Sequence, residues 1–282
     1  MISGAKYSMI YPPLVARVCE EEKRKGAKDW EKATKTRLHQ MFGAYVQGNA
    51  QKKVAALLDN THPSEYDNAR REVQHSELDN ARHGVQHSGH DNARHSGLDP
   101  ESILSLHAST KERLPYYPQF YTFITTHVPN IQTIMDLGCG FNPFSLHHLP
   151  NLKTYHAYDI DTRTRDLLNR FFAQQSLPQT AACTDLAVET PAEKADLALL
   201  CKLVPVLEAQ CTGRGFELAR QLDTQFLAIT YPTKSLGGRE KGMGKNYAAQ
   251  FEKAYENGEL GDFTLLVHEQ IGNELMYILQ KV

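Results

Sequence analysis

The stretch IMDLGCGFN, residues 134–142, decides how this chain is read. Apolar residues run into an acid, Asp136, and then into two glycines around a cysteine, Gly138-Cys139-Gly140. A strand that ends this way and turns into a helix places a ligand at the carboxyl edge of a sheet. Glycine permits the close backbone approach and positive φ that such a turn needs. Taken alone, the turn fits a dinucleotide, a nucleoside or no ligand at all. The full G-x-G-x-x-G of a pyrophosphate site is missing, since the chain goes on Phe-Asn-Pro-Phe-Ser with no third glycine. A bulkier turn suits a ligand without phosphates.

The flanking pattern narrows the choice. Strand-like runs recur near 133–137, 154–158, 180–184, 196–201 and 226–231, with helical stretches such as Arg163–Gln174 and Thr212–Leu222 between them. That alternation predicts βαβ units and a mainly parallel sheet. The end differs: DFTLLVHEQ (262–270) and NELMYILQKV (273–282) read as two strands joined at Ile271-Gly272-Asn273, unlike a plain dinucleotide-binding domain. Asp159 falls nineteen residues after Gly140, at the end of the next strand, where an acid accepts hydrogen bonds from ribose hydroxyls. Asp185 ends the third strand, where an acid can meet the exocyclic amine of adenine. Singly, Asp159 or Asp161 could merely cap the following helix and Asp185 a turn. In register they describe a nucleoside pocket that suits S-adenosylmethionine better than NAD. The expected fold is α/β: a Rossmann-like, mainly parallel sheet with a C-terminal antiparallel hairpin.

Composition sets outer bounds. The 282 residues are 41% hydrophobic and 23% charged, ordinary for a globular protein. No apolar run approaches the roughly 18 residues of a membrane helix. The N-terminus, MISGAKYSMIYPP, lacks the apolar core of a secretory signal, so a cytoplasmic location is expected. Five scattered cysteines without a C-x-x-C pair argue against a disulfide framework and against structural zinc. Net charge is −2, yet residues 1–60 hold eleven Lys/Arg against six Asp/Glu, a surplus of five. A basic N-terminal part marks either a nucleic-acid contact or a solvated helical surface. That part reads as three short helices: Pro13 opening one with Leu14, Val15, Val18 and Cys19, Asp29 capping one with Trp30, Leu38, Phe42 and Tyr45, and a third with Val54, Leu57 and Leu58. Then DNAR recurs from Asp67, Asp79 and Asp91, a period of twelve. Residues 67–99 hold almost no large apolar side chains, so disorder is expected there. The segment carries five of the thirteen histidines, but repeat expansion in a tolerated loop explains it better than metal binding. Order resumes at Asp99-Pro100; Ser109 and Glu112 are expected to form a capping box, and Pro118 to restart a helix.

Several longer stretches carry a resemblance. HASTKERLPYYPQFY (107–121), DLGCGFNPFSL (136–146), CKLVPVLE (201–208) and TYPTKSLGGREKGMGKNYAAQFE (230–252) resemble the aminoglycoside-resistance 16S rRNA methyltransferases of the Arm/Rmt family. KYSMIYPP (6–13) and TRLHQMFGAYV (36–46) are similar too, so the likeness spans nearly everything outside residues 60–99. It implies transfer of the methyl group of S-adenosylmethionine to N7 of the decoding-site guanine of 16S rRNA, in the assembled 30S subunit, with no metal and no membrane. It implies the fold of a class I S-adenosylmethionine-dependent methyltransferase, divided into an N-terminal helical docking domain, 1–106, and a methyltransferase domain, 107–282. Carried over by position, His107, Ala108, Ser109 and Arg113 line the cofactor pocket, with Arg113 meeting the methionine carboxylate. Gly138, Cys139, Gly140, Asp159, Asp185, Leu186, Cys201, Lys202, Leu203, Gln210 and Tyr45 complete it. Arg37, Lys234, Arg239, Lys241 and Lys245 are expected to meet rRNA. Cys201 stands where relatives carry a bulky apolar residue, so no catalytic thiol is inferred.

The implied chemistry asks little of the side chains. Guanine N7 has a lone pair and no proton, so no general base and no covalent enzyme intermediate is required. No catalytic residue is expected; alignment does the work. The guanine must leave its stack, and Tyr231 or Tyr247 could receive it, although core packing accounts for both. The alternative is a methyltransferase acting on a small molecule, with the basic N-terminal part as a lid. A non-catalytic rRNA-binding factor and an NAD-linked dehydrogenase rank lower.

Overall fold

A computed structural model describes residues 7–42, 49–60, 99–234 and 242–282. The repeat segment and most of the glycine-rich loop after residue 234 therefore lie outside the described residues.

Seven strands form one sheet: β1 (Thr133–Leu137), β2 (Thr154–Asp159), β3 (Ala181–Cys183), β4 (Ala195–Cys201), β5 (Thr224–Pro232), β6 (Phe263–Ile271) and β7 (Glu274–Lys281). Their order is β3-β2-β1-β4-β5-β7-β6. The first five run parallel, while β7 pairs antiparallel with β5 and with β6. The βαβ reading and the terminal hairpin both hold. A parallel sheet buried on two faces needs apolar side chains on both. In β4, Leu197 and Leu199 enter one core while Ala198 and Leu200 enter the other. Strand β6 closes the edge with alternate exposed residues and a bulge between Leu265 and Val267, features that discourage pairing with another chain.

Helices α1 (Pro12–Arg24) and α2 (Trp30–Phe42) share a small core of Leu14, Val15, Val18, Cys19, Leu38 and Phe42. The proline at the start of α1 suits a position whose N–H has no helical partner. Helix α3 (Ala50–Asp59) turns Val54 and Leu58 into the large core instead, as α4 (Pro100–Leu104) does with Ile103 and Leu104. Asp99 caps α4 by accepting from the Glu101 and Ser102 amides. Tyr11 donates its amide to the Ile160 carbonyl at 2.8 Å and Thr162 donates to Met9 at 2.9 Å, so the entry to α1 is pinned beside the end of β2.

Two local expectations need correction. Helix α5 (Ala108–Arg113) starts from His107, so Ser109 is not its cap. Ser109 Oγ bonds His107 Nδ1 at 2.9 Å, and the Glu112 carboxylate takes the Lys202 ammonium at 2.8 Å. The glycine turn leads not into an α-helix but into a 3-10 stretch, Asn142–His148. Pro143 offers no N–H, and the Asn142 side chain is tied to Asp136, Arg113 and Tyr117, which tightens the turn. The helix restarted by Pro118 is α6 (Tyr117–His127). Among the described residues no helix is long and apolar enough to cross a membrane.

Candidate functional site

A cleft of about 960 Å³, its open mouth included, lies at the carboxyl edge of β1, β2, β3 and β4. Its floor begins at the quoted turn. Gly138 and Gly140 have φ of 68° and 51°, a region that L side chains avoid. A Cβ on Gly140 would stand 2.7 Å from His107 Cε1, so only glycine lets the histidine ring close over the turn. Burial pushes the His107 ring down to about 4, which leaves it neutral near pH 7.

Acids stand at successive strand ends. The Asp159 carboxylate accepts from the amides of Gly140 (2.9 Å), Ile160 (2.7 Å) and Asp161 (2.9 Å). A carboxylate has about four acceptor positions, so one is left for a ligand donor. Burial raises Asp159 above the usual carboxylate range, against the pull of those amides. Asp161, which caps α7 (Thr162–Gln174), holds the Gln51 amide of α3 at 3.1 Å. Gln51 Oε1 is buried without a partner, and Gln51 lines the cleft. An unmet buried acceptor costs roughly 1–3 kcal/mol, a debt that a ligand hydroxyl or amine removes. Asp185, past β3, is 2% exposed and gripped by Arg17 of α1.

Beyond β4 the backbone is strained. Lys202 has φ 57°, and its amide donates to the Thr230 carbonyl (3.0 Å) and to Thr230 Oγ1 (3.1 Å). A non-glycine residue held there costs of order 1–3 kcal/mol. The strain aims its ammonium at Glu112 (2.8 Å) and Glu274 (3.3 Å). Glu274 also accepts from Arg113 Nε at 3.0 Å and Nη2 at 2.9 Å, and from Thr230 Oγ1 at 2.7 Å. Burial alone would raise Glu274; Arg113 and Lys202 hold it below the usual range instead. Asn142 links Arg113 (2.9 Å) to Asp136 (2.8 Å), and burial lifts Asp136 to about 6.

The expected residues divide clearly. His107, Ser109, Gly138, Gly140, Asp159, Asp185, Leu186, Cys201, Lys202, Leu203 and Gln210 all line the cleft. Arg113 does not: it is 3% exposed, and its guanidinium faces Glu274 and Asn142. Ala108 and Cys139 lie in the same segments without lining it, and Tyr45 falls outside the described residues, as do Arg239 and Lys241. Arg37 is paired with Glu21 and Glu22, whereas Lys234 and Lys245 are exposed. Tyr231 is 1% exposed within a ring cluster of Tyr247, Phe251 and Tyr277, so it serves the core. Burial pushes the Cys201 thiol up to about 12, which keeps it protonated. Among the described residues no group of His, Cys, Asp or Glu is placed to hold a metal ion. Sequence reasoning missed Arg17, Gln51 and Glu274, each more than a hundred residues from its partner in the chain.

A seven-stranded sheet with a reversed β7 and a carboxyl-edge cleft furnished for a nucleoside defines an S-adenosylmethionine-dependent methyltransferase. The profile of the family described as ribosomal RNA methyltransferase (FmrO) matches residues 82–278. A Serratia marcescens protein named 16S rRNA (guanine(1405)-N(7))-methyltransferase is 33% identical over 284 residues, covering 100% of this chain and 96% of its own length. A Micromonospora echinospora protein of the same name is 31% identical, covering 98% and 92%. The crystal structure of the 16S rRNA methyltransferase RmtF in complex with S-adenosyl-L-homocysteine superposes with a TM-score of 0.76 at 33% identity, covering 99% of this chain and 95% of that one. The 16S rRNA methylase RmtB gives 0.75 at 30% identity, with 99% and 94% covered. The chain belongs to the FmrO family of ribosomal RNA methyltransferases.

Proposed function

We propose that this protein transfers the methyl group of S-adenosylmethionine to N7 of guanine 1405 of 16S rRNA, the reaction named for its full-length relatives, and so confers aminoglycoside resistance. The observation that carries the reading is the cleft uniting Gly138, Asp159 and Asp185 in a chain so similar to those enzymes from end to end.

The residues present fit the cofactor: a glycine turn of positive φ, a free acceptor position on Asp159 and the unmet Gln51 carbonyl. When bound, S-adenosylmethionine supplies a methyl group on a positively charged sulfur. Asp159 would accept from a ribose hydroxyl at its one remaining position and Asp185 from the adenine amine. Lys202, which lines the cleft, would meet the carboxylate of the methionine part. Arg113 acts from behind by keeping Glu274 charged and Lys202 aimed. None of these groups moves a proton. The neutral His107 and the protonated Cys201 shape the wall. Holding N7 and the methyl group in line contributes roughly 7–11 kcal/mol.

The substrate is the assembled 30S subunit, met in the cytoplasm. The region up to residue 106, with helices α1 to α3, and the basic residues Lys234, Arg239, Lys241 and Lys245 form its docking surface. The test supplies labelled S-adenosylmethionine with 30S subunits in one arm and protein-free 16S rRNA in the other. Label in the 30S arm alone is expected; equal labelling of naked rRNA overturns the assembled-subunit substrate, and label in neither overturns the activity.

A further inference from the structure

The N-terminal helices do more than flank the cleft. Leu14 of α1, Met41 and Phe42 of α2 and Gln51 of α3 all line it. One turn beyond Leu14, Arg17 sends Nε to Asp185 Oδ2 at 2.6 Å and Nη2 to Oδ1 at 3.1 Å. This is the two-pronged pairing that a planar guanidinium makes with a carboxylate. The third arm is held as well: Nη1 donates to Glu21 Oε1 at 2.7 Å, while the other Glu21 oxygen takes Arg37 of α2. Arg17 is thus fixed on both sides, with its side chain 17% exposed against 2% for Asp185.

The acceptor positions on Asp185 can be assigned one by one. Oδ1 receives Arg17 Nη2 and the Ala187 amide at 3.3 Å; Oδ2 receives Arg17 Nε. One position of about four remains, on Oδ2. We propose that Arg17 is a positioning residue for the cofactor: it locks the Asp185 carboxylate in the plane that presents this last position to the adenine amine. The cofactor site is then completed by the N-terminal helical region. The proposal rests on the reading of Asp185 as the acceptor of that amine. A simple staple between helix and sheet would stabilise the fold yet leave the amine unread, and that difference is measurable.

The probes are S-adenosylhomocysteine and S-inosylhomocysteine, in which an oxygen replaces the amine. Titration calorimetry compares the full-length protein with Arg17→Ala and Arg17→Lys, and thermal melting confirms that each variant is folded. A hydrogen bond to a charged group contributes roughly 1.5–3 kcal/mol, so the unaltered protein should prefer the amine by roughly ten- to a hundredfold. Arg17→Ala should lose most of that preference by weakening S-adenosylhomocysteine alone. Arg17→Lys keeps the charge without the fork and should fall between. A preference that survives in both variants overturns the role of Arg17. If the unaltered protein shows no preference, the adenine reading of Asp185 fails first and the role of Arg17 falls with it; the two failures differ in which protein lacks the preference.

Discussion

Replacing Glu274 by glutamine tests the buried charge network beneath Lys202. The change is nearly isosteric, so it alters charge and leaves volume alone. Glu274 is 2% exposed and accepts four contacts, from Arg113 Nε and Nη2, Thr230 Oγ1 and the Lys202 ammonium. The amide keeps one acceptor oxygen and turns an NH2 group toward donors. Arg113, 3% exposed, then keeps its charge with no counterion within bonding distance among the described residues. Removing one partner of a buried ion pair costs roughly 3–5 kcal/mol. Urea denaturation at pH 7 should show a loss of that size with an unchanged dependence on urea. The sign with pH follows from the lowered carboxyl. Its stabilisation is fully present above the ordinary value of 4.5 and is lost as pH falls through the lower folded value. The gap between the two proteins should therefore narrow in acid below about 4.5. A loss under about 1 kcal/mol, or a gap that persists unchanged to pH 3, refutes the reasoning.

Other outcomes follow from the same geometry. Gly140→Ala places a Cβ 2.7 Å from His107 on a backbone with φ 51°, so S-adenosylhomocysteine affinity in calorimetry should fall at least roughly tenfold; near-normal affinity would mean that the turn does not shape the site. Cys201→Ser should keep most methyl transfer, since burial holds the thiol protonated with its value near 12 and N7 needs no covalent help; abolished transfer in a folded variant contradicts this. Arg239→Ala with Lys241→Ala should weaken 30S binding and flatten its salt dependence, each phosphate contact contributing up to roughly 0.9 to the slope. Cofactor affinity should be untouched, and an unchanged slope removes this loop from the docking surface.

Much of the fold was legible because parallel strands buried on both faces leave continuous apolar runs, as TIMDL and ADLALLC do. The three strand-end positions, Gly138, Asp159 and Asp185, could be read because each follows such a run at a set interval. The capping box could not be read correctly: S-x-x-E is a local pattern, and the pull of Lys202 on Glu112 comes from ninety residues away. The pairing of Arg113 with Glu274 was hidden for the same reason, the two lying 161 positions apart. Arg17 sits on a helix whose Arg, Glu and Lys residues read as a solvated face, and only the docking of α1 beside Ile160 reveals that it points at Asp185. Gln51 is hidden likewise, since a polar residue opening an amphipathic helix carries no sign of a cleft.

The most direct measurement of the central claim is the position and chemistry of the methyl group itself. Subunits incubated with the protein and labelled S-adenosylmethionine are digested, and the labelled nucleoside is identified by mass spectrometry and mapped along 16S rRNA. One labelled species is expected, 7-methylguanosine at position 1405, the position named for the relatives. Label on another nucleoside, at another position, or on no RNA at all would contradict the account.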